Sequence, residues 1–93
     1  MEVFDSPFGP IELTDERKYH ILTFHPEVRG VWQRIPETLA RPAATRRSKY
    51  DSNVLIVYGT ISKNLSLAVV IKRNARNFIL TAYVTRSIKH LPL

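Results

Sequence analysis

The side chains best suited to chemistry are two histidines in the first third of the chain and a row of hydroxyls near its end. His20 and His25 lie in one segment with helical spacing of apolar residues. Thr81, Tyr83 and Thr85 alternate along a predicted β-strand, so their hydroxyls share one strand face. An imidazole can transfer protons near neutral pH, and hydroxyls can stabilise a developing oxyanion. This combination suits acid–base chemistry on an anionic substrate.

Basic residues are concentrated in the second half of the chain. The 93 residues carry a formal net charge of +6. Residues 41–93 contain ten Lys and Arg against one acidic residue, whereas residues 1–40 contain four against seven. A cationic surface favours a polyanionic partner, because each neutralised phosphate releases counterions. We therefore expect RNA or an acidic protein as the partner.

Several enzyme classes are excluded by what the sequence lacks. It has no cysteine, no histidine pair at i, i+4 spacing, and only three glycines. Thiolate metal sites, helical metal-ligand pairs, phosphate-binding loops and serine hydrolase motifs are therefore absent, and no carboxylate pair lies in the strand region. RNA cleavage by the 2′-hydroxyl needs none of these, since RNA supplies its own nucleophile. We expect no metal and no cofactor, and we assign His90 to the surface.

The spacing of apolar residues predicts one domain over residues 1–93, of class α+β. An extended arm over 1–13, with a short edge strand at 11–13, precedes a helical part over 14–41. Helices are predicted over 15–25, 27–34 and 37–41, each separated from the next by a proline. The predicted fold therefore has short N-terminal helices packed on a four-stranded antiparallel sheet. Its strands span 44–48, 54–60, 65–72 and 78–85, before a C-terminal tail at 86–93.

Alternation along the last strand predicts which side chains face the helices. Phe78, Leu80, Ala82 and Val84 are expected in the core. Ile79 is expected on the opposite face with the three hydroxyl residues.

The sequence also predicts a cytoplasmic protein without a membrane partner. No apolar run approaches the ~20 residues that cross a bilayer. The first residues are acidic where a signal peptide would be basic.

Several segments of the chain resemble a known group of nucleases. His20 to Val28, with its His-Pro-Glu sequence, resembles the helix of phage and bacterial nuclease-like domains grouped with barnase, EndoU, colicin-type tRNases and RelE. The segment 67–72, ending in Lys72, and the segment 79–85, with its Thr-Ala-Tyr sequence, are similar to strands of that group. Ser48 and Asp51 also lie where the group commonly has them. The resemblance covers residues 8–89.

This resemblance implies a ribonuclease, often a toxin or phage effector controlled by a partner, with no cofactor. Either His20 or His25 would be the acid–base group, and the helical pattern does not decide between them. The last-strand hydroxyls at Thr81, Tyr83 and Thr85 would belong to the same catalytic site. The phosphate-binding cations would be Lys72 and Arg46, extended by Arg47 and Arg86.

Two other functions remain open at this stage. One is a non-catalytic RNA-binding module that uses the basic half of the chain. The other is a protein-interaction domain that binds an acidic partner, such as an antitoxin or immunity protein. The RNA substrate, its sequence preference and any homo- or hetero-oligomeric state are also left open.

Overall fold

The chain is organised around a six-stranded mixed β-sheet. The computed structural model describes residues 1–86, so the predicted tail beyond Arg86, including His90, lies outside the described residues. The sheet order is β1-β2-β6-β5-β4-β3, with β2 and β6 parallel and all other neighbours antiparallel. The strands are Glu2–Phe4 (β1), Ile11–Leu13 (β2), Ala44–Arg47 (β3), Val54–Ser62 (β4), Leu65–Lys72 (β5) and Asn77–Thr85 (β6).

The predicted four-stranded antiparallel sheet is wrong, because the N-terminal arm contributes two further strands. Gly9, at φ 95°, closes a turn by donating its backbone N–H to the Ser6 carbonyl at 3.1 Å. The turn returns the chain as a hairpin, and β2 then pairs in parallel with β6. Ile11 and Leu13 are almost fully buried. The strand predicted at 11–13 is confirmed, but its expected place at the edge is wrong, because β2 pairs with β1 on one side and with β6 on the other.

Two α-helices and one 3₁₀ helix lie between the hairpin and the remaining strands in the described chain. They are Asp15–Phe24 (α1), the 3₁₀ helix Pro26–Arg34 and Ile35–Ala40 (α2). Thr14 caps α1 by accepting the backbone N–H of Arg17 at 3.1 Å. The α-helix predicted over 27–34 is a 3₁₀ helix with a kink at Val31, where φ is −124°. No helix in residues 1–86 is long and apolar enough to cross a membrane.

One sheet face packs against the helices and forms the core. Buried side chains of the helices meet the inward-facing side chains of β4, β5 and β6. This core includes Ile21, Val28, Ile35 and Leu39 from the helical part, and Val57, Leu67, Val69, Ile71, Ile79 and Ala82 from the sheet.

A β-bulge in β6 changes the predicted alternation of that strand. Val70 of β5 pairs with Thr81, whereas the next residue, Ile71, pairs with Ile79, so Leu80 has no partner in β5. Ile79 and Ala82 are both fully buried although they are three residues apart. The expectations that Ile79 shares the hydroxyl face and that Phe78 faces the core were therefore wrong, because the extra residue exchanges the faces of these two positions.

Candidate functional site

The sheet face opposite the helices, here called the open face, carries most of the predicted site residues. Paired residues lie on the same side of a sheet, so the register defines its rows. One row across β6, β5 and β4 contains Tyr83, Ala68 and Tyr58. The next row contains Thr81 and, on β3, Arg46. Residues distant in sequence therefore meet on one surface.

His25 lies beside Tyr83 at the edge of this face. Their ring centroids are 6.0 Å apart, with the ring planes tilted by 41°. The Nδ1 atom of His25 is 3.7 Å from Oε2 of Glu27. Side-chain exposures of 35% for His25 and 44% for Glu27 leave both groups accessible to a ligand. The three side chains form a cluster of a proton-transfer group, a carboxylate and a phenol.

The end of α1 places this cluster at the exposed edge of β6. Pro26 disfavours helical geometry at His25, whose φ and ψ are −132° and 66°. β2 pairs with β6 only at Asn77 and Phe78, so within residues 1–86 the outer edge beyond them has no neighbouring strand. Glu27 accepts the Val84 backbone N–H there at 3.5 Å. The helix end therefore contacts β6 directly.

Farther along the same edge, Arg17 makes a second link between α1 and β6. It donates a hydrogen bond to the Leu80 carbonyl at 3.2 Å. Together with the Glu27 contact, this bond holds the helix and its C-terminal histidine against the strand.

Tyr58 and Tyr83 flank the small side chain of Ala68, which is fully buried between them in the register. Tyr58 is only 3% exposed. Burial raises the pKa of Tyr58 above its usual value, and the nearby Tyr83 adds to this effect. Arg46 acts in the opposite direction, because its guanidinium lies beside the phenol and favours the ionised form. Arg46 is thus held close to the tyrosine pair.

Lys72 lies on the open face but is paired with a carboxylate. Its Nζ donates to Oδ2 of Asp51, in the loop between β3 and β4. The Lys72 contact holds the pKa of Asp51 below its ordinary value, and the backbone N–H of Asn53 contributes in the same direction. A phosphate approaching Lys72 would therefore compete with Asp51.

His20 does not share the surroundings of His25. Its ring is 4.8 Å from that of Phe24, one turn along α1, and Phe24 is 67% exposed. The structure therefore distinguishes the two histidines, because only His25 has a contact with the last-strand tyrosine among the described ring contacts.

Of the four remaining predicted site residues, some lie on the open face and others do not. Thr81 and Thr85 lie on the open face and are half-buried, but the Thr81 hydroxyl is closed off from solvent and makes no hydrogen bond. Arg47 is exposed and pairs with Leu55, so it points to the side opposite Arg46. Arg86 is exposed just beyond β6.

Glu27 and Tyr58 were not predicted as site residues. The available signal for Glu27 was its position two residues after His25 in the His-Pro-Glu sequence. For Tyr58 it was the alternation of β4, which places this residue on the same face as Arg46 once the register is known.

The partly exposed side chains of His25 and Glu27 place this cluster on the surface of the described part of the chain. No three histidine or acidic side chains of residues 1–86 converge as metal ligands. A cavity of about 700 Å³ lies instead beside Phe78, Leu80 and Arg17. The His25 cluster is a surface site, which suits a polymer more than a small enclosed ligand.

No protein-family model matches this chain, and neither the curated proteins nor the solved structures include a match.

Proposed function

We propose that the protein is an endoribonuclease that cleaves RNA by attack of a 2′-hydroxyl on the adjacent phosphate. The observation that carries this proposal is the placement of His25 beside Tyr83 and Glu27, next to a strongly cationic half of the chain. The resemblance to the barnase, EndoU, colicin and RelE group agrees with this activity and remains part of the proposal.

In the proposed reaction, the 2′-oxygen forms a bond to phosphorus while the bond from phosphorus to the 5′-oxygen breaks. His25 transfers protons, taking one from the 2′-hydroxyl and supplying one to the departing 5′-oxygen. The products are a 2′,3′-cyclic phosphate and a free 5′-hydroxyl, so atoms and charge balance. Glu27 orients the His25 imidazole through the contact at Nδ1.

The neighbouring side chains would stabilise the charge that develops on the phosphoryl oxygens. The Tyr83 hydroxyl is a neutral donor beside the imidazole. Arg46 supplies a permanent positive charge from the edge strand β3, and its guanidinium can bind a phosphate through two hydrogen bonds. Because Tyr58 is nearly fully buried, it supports Arg46 and Tyr83 rather than contacting RNA.

The chain offers matched pairs of variants to test this assignment. We expect His25→Ala and Tyr83→Phe to lower the cleavage rate of a labelled single-stranded RNA, by about 10²-fold or more for the histidine. His20→Ala and Tyr50→Phe are the controls, since His20 packs on Phe24 and Tyr50 is 95% exposed in a loop. Circular dichroism checks that each variant is folded.

Equal cleavage by His25→Ala and the wild type would contradict the assigned site. Loss of activity in His20→Ala alone would transfer the acid–base role to the other histidine. Salt-sensitive RNA binding without any cleavage by the folded wild type would contradict the nuclease proposal and favour an RNA-binding module.

A further inference from the structure

A second cationic site lies at the end of the sheet, away from the His25 cluster. A cavity of about 600 Å³ is formed where the loop between β3 and β4 meets the turn between β5 and β6. Its polar lining consists of Arg47, Ser52, Asn53, Arg73, Asn74 and Asn77. We call it the loop cavity.

The loop cavity presents hydrogen-bond donors and no carboxylate. Neither Arg47 nor Arg73 forms an ion pair among the described residues, and no acidic residue lines the cavity. The nearby Asp51 is engaged by Lys72, and Glu12 is engaged by Arg76. Two unneutralised guanidinium groups with amide donors around them are suited to an anion, above all a phosphate.

The position of Arg73 is supported by an aromatic ring and by the backbone. Its guanidinium lies 5.6 Å from the centroid of the Phe8 ring, and its backbone N–H donates to the Asn53 carbonyl at 2.6 Å. Stacking on a ring orients the side chain while the N–H groups at the guanidinium edge remain available. Arg73 is exposed, but these two contacts give its guanidinium a preferred position.

The distance from the open-face cluster indicates the kind of ligand. Ala68 of β5 pairs with Tyr83, and Arg73 follows Ala68 by five residues, just after the end of β5. At about 3.3 Å per residue, the backbone positions of Ala68 and Arg73 are roughly 17 Å apart. Only a ligand several nucleotides long could occupy both places.

An exposed aromatic side chain in the same loop favours a single strand. Tyr50 is 95% exposed, in the loop that also contributes Ser52 and Asn53 to the cavity. An unpaired base can stack on such a ring, whereas a base within a duplex cannot.

We infer that the loop cavity binds a phosphate of single-stranded RNA several nucleotides from the phosphate that is cleaved, with Arg47 and Arg73 as its ligands. This inference rests on the proposed ribonuclease function, because it assumes that another phosphate of the same RNA is cleaved at the His25 cluster. The binding itself is measurable without cleavage.

The test is the affinity of the Arg47→Gln, Arg73→Gln double variant for a labelled single-stranded 2′-O-methyl RNA of about 16 nucleotides, which cannot be cleaved through its 2′ position. We expect affinity to fall on the order of tenfold, measured by fluorescence anisotropy. The slope of log affinity against log salt should become shallower by about 0.7, because the double variant neutralises one phosphate fewer. Arg29→Gln, Arg41→Gln is the control, because it removes the same charge from two exposed positions, one in the 3₁₀ helix and one just after α2.

A second measurement separates this inference from the proposed activity. If the protein cleaves RNA, the double variant should raise KM for the long RNA. It should leave kcat and KM for a dinucleotide unchanged, since a dinucleotide cannot reach the loop cavity.

Equal reductions of affinity in Arg47→Gln, Arg73→Gln and in the control Arg29→Gln, Arg41→Gln would overturn the inference, because net charge alone would explain both. An equally large reduction for a poly-glutamate peptide would also overturn it, since the cavity would then accept an acidic protein. If the wild type does not cleave RNA but the Arg47→Gln, Arg73→Gln variant shows the expected loss of RNA affinity, only the proposed ribonuclease activity is contradicted.

Discussion

Replacing Thr81 with valine should stabilise the fold, because the Thr81 hydroxyl is buried without a hydrogen-bond partner among residues 1–86. In the unfolded chain this hydroxyl is hydrated, so folding removes that hydration without compensation. Valine has a similar shape, keeps the β-branch that suits strand β6, and removes the polar atom. An unsatisfied buried hydroxyl costs about 1–3 kcal/mol, so we expect a gain in the free energy of unfolding within that range.

The measurement is urea unfolding followed by the fluorescence of Trp32, the single tryptophan of the chain. The midpoint should rise without a change in slope, and each kcal/mol corresponds to a Tm increase of roughly 4–8 °C in a domain of this size. Thr60→Val is the matched control, since Thr60 is exposed on strand β4 of the same sheet. Its stability should change by less than about 0.5 kcal/mol.

Unchanged or reduced stability of Thr81→Val, with a neutral Thr60→Val control, would refute this reasoning and indicate that the hydroxyl makes a stabilising contact. The same variant also bears on function. Because the Thr81 hydroxyl is closed off from solvent, we expect Thr81→Val to keep its RNA cleavage activity.

Three further perturbations follow from the described contacts. Gly59→Ala should destabilise the fold by about 1–3 kcal/mol in urea unfolding, because the new Cβ would lie 2.2 Å from Oγ1 of Thr38. An unchanged urea midpoint would contradict this close packing of α2 on β4. Asp51, with its pKa lowered by Lys72, should stabilise the protein above its ordinary pKa of 3.8 and lose this contribution as the pH falls below it. On acidification, Asp51→Asn should lose less stability than the wild type. An equal loss of stability in the two proteins would refute the pairing of Asp51 with Lys72. Because burial raises the pKa of Tyr58, this residue should favour folding below pH 10 and lose that effect above it. Tyr58→Phe should therefore be less sensitive than the wild type to alkaline unfolding. Equal sensitivity of the two proteins would contradict the raised pKa.

The sequence predicted those elements whose signals are local. The structure confirms the start of the helix predicted from residue 15, because α1 begins at Asp15 and ends one residue before the predicted position. The four C-terminal strands lie within two residues of their predicted ends, because β-branched runs and polar turns identify strands directly.

Strand β1 was not predicted, and β2 was predicted at 11–13 only as an edge strand. The position of β2 inside the sheet was missed because it depends on a distant partner. Ile11–Leu13 is too short to establish its own place in a sheet, and its parallel pairing with β6 joins segments more than 60 residues apart. The bulge at Leu80 likewise depends on register with β5, which no alternation within β6 reveals.

The candidate site was predictable in residue types but not in arrangement. A helical projection could not choose between His20 and His25, because His25 leaves helical geometry before Pro26 and its direction depends on the chain end. Arg46 and Arg47 are adjacent in sequence, yet their alternation in β3 assigns them to opposite sides of the sheet.

The measurement that tests the central proposal most directly is the chemical nature of the RNA ends produced in excess EDTA. Wild-type protein is incubated with a labelled RNA and with the same RNA carrying a 2′-deoxy sugar at the cleaved position. We predict products ending in 2′,3′-cyclic phosphate and 5′-hydroxyl from the first RNA, and no cleavage at that position in the second. Cleavage of the deoxy-substituted RNA there, or products with 5′-phosphate ends, would contradict attack by the 2′-hydroxyl.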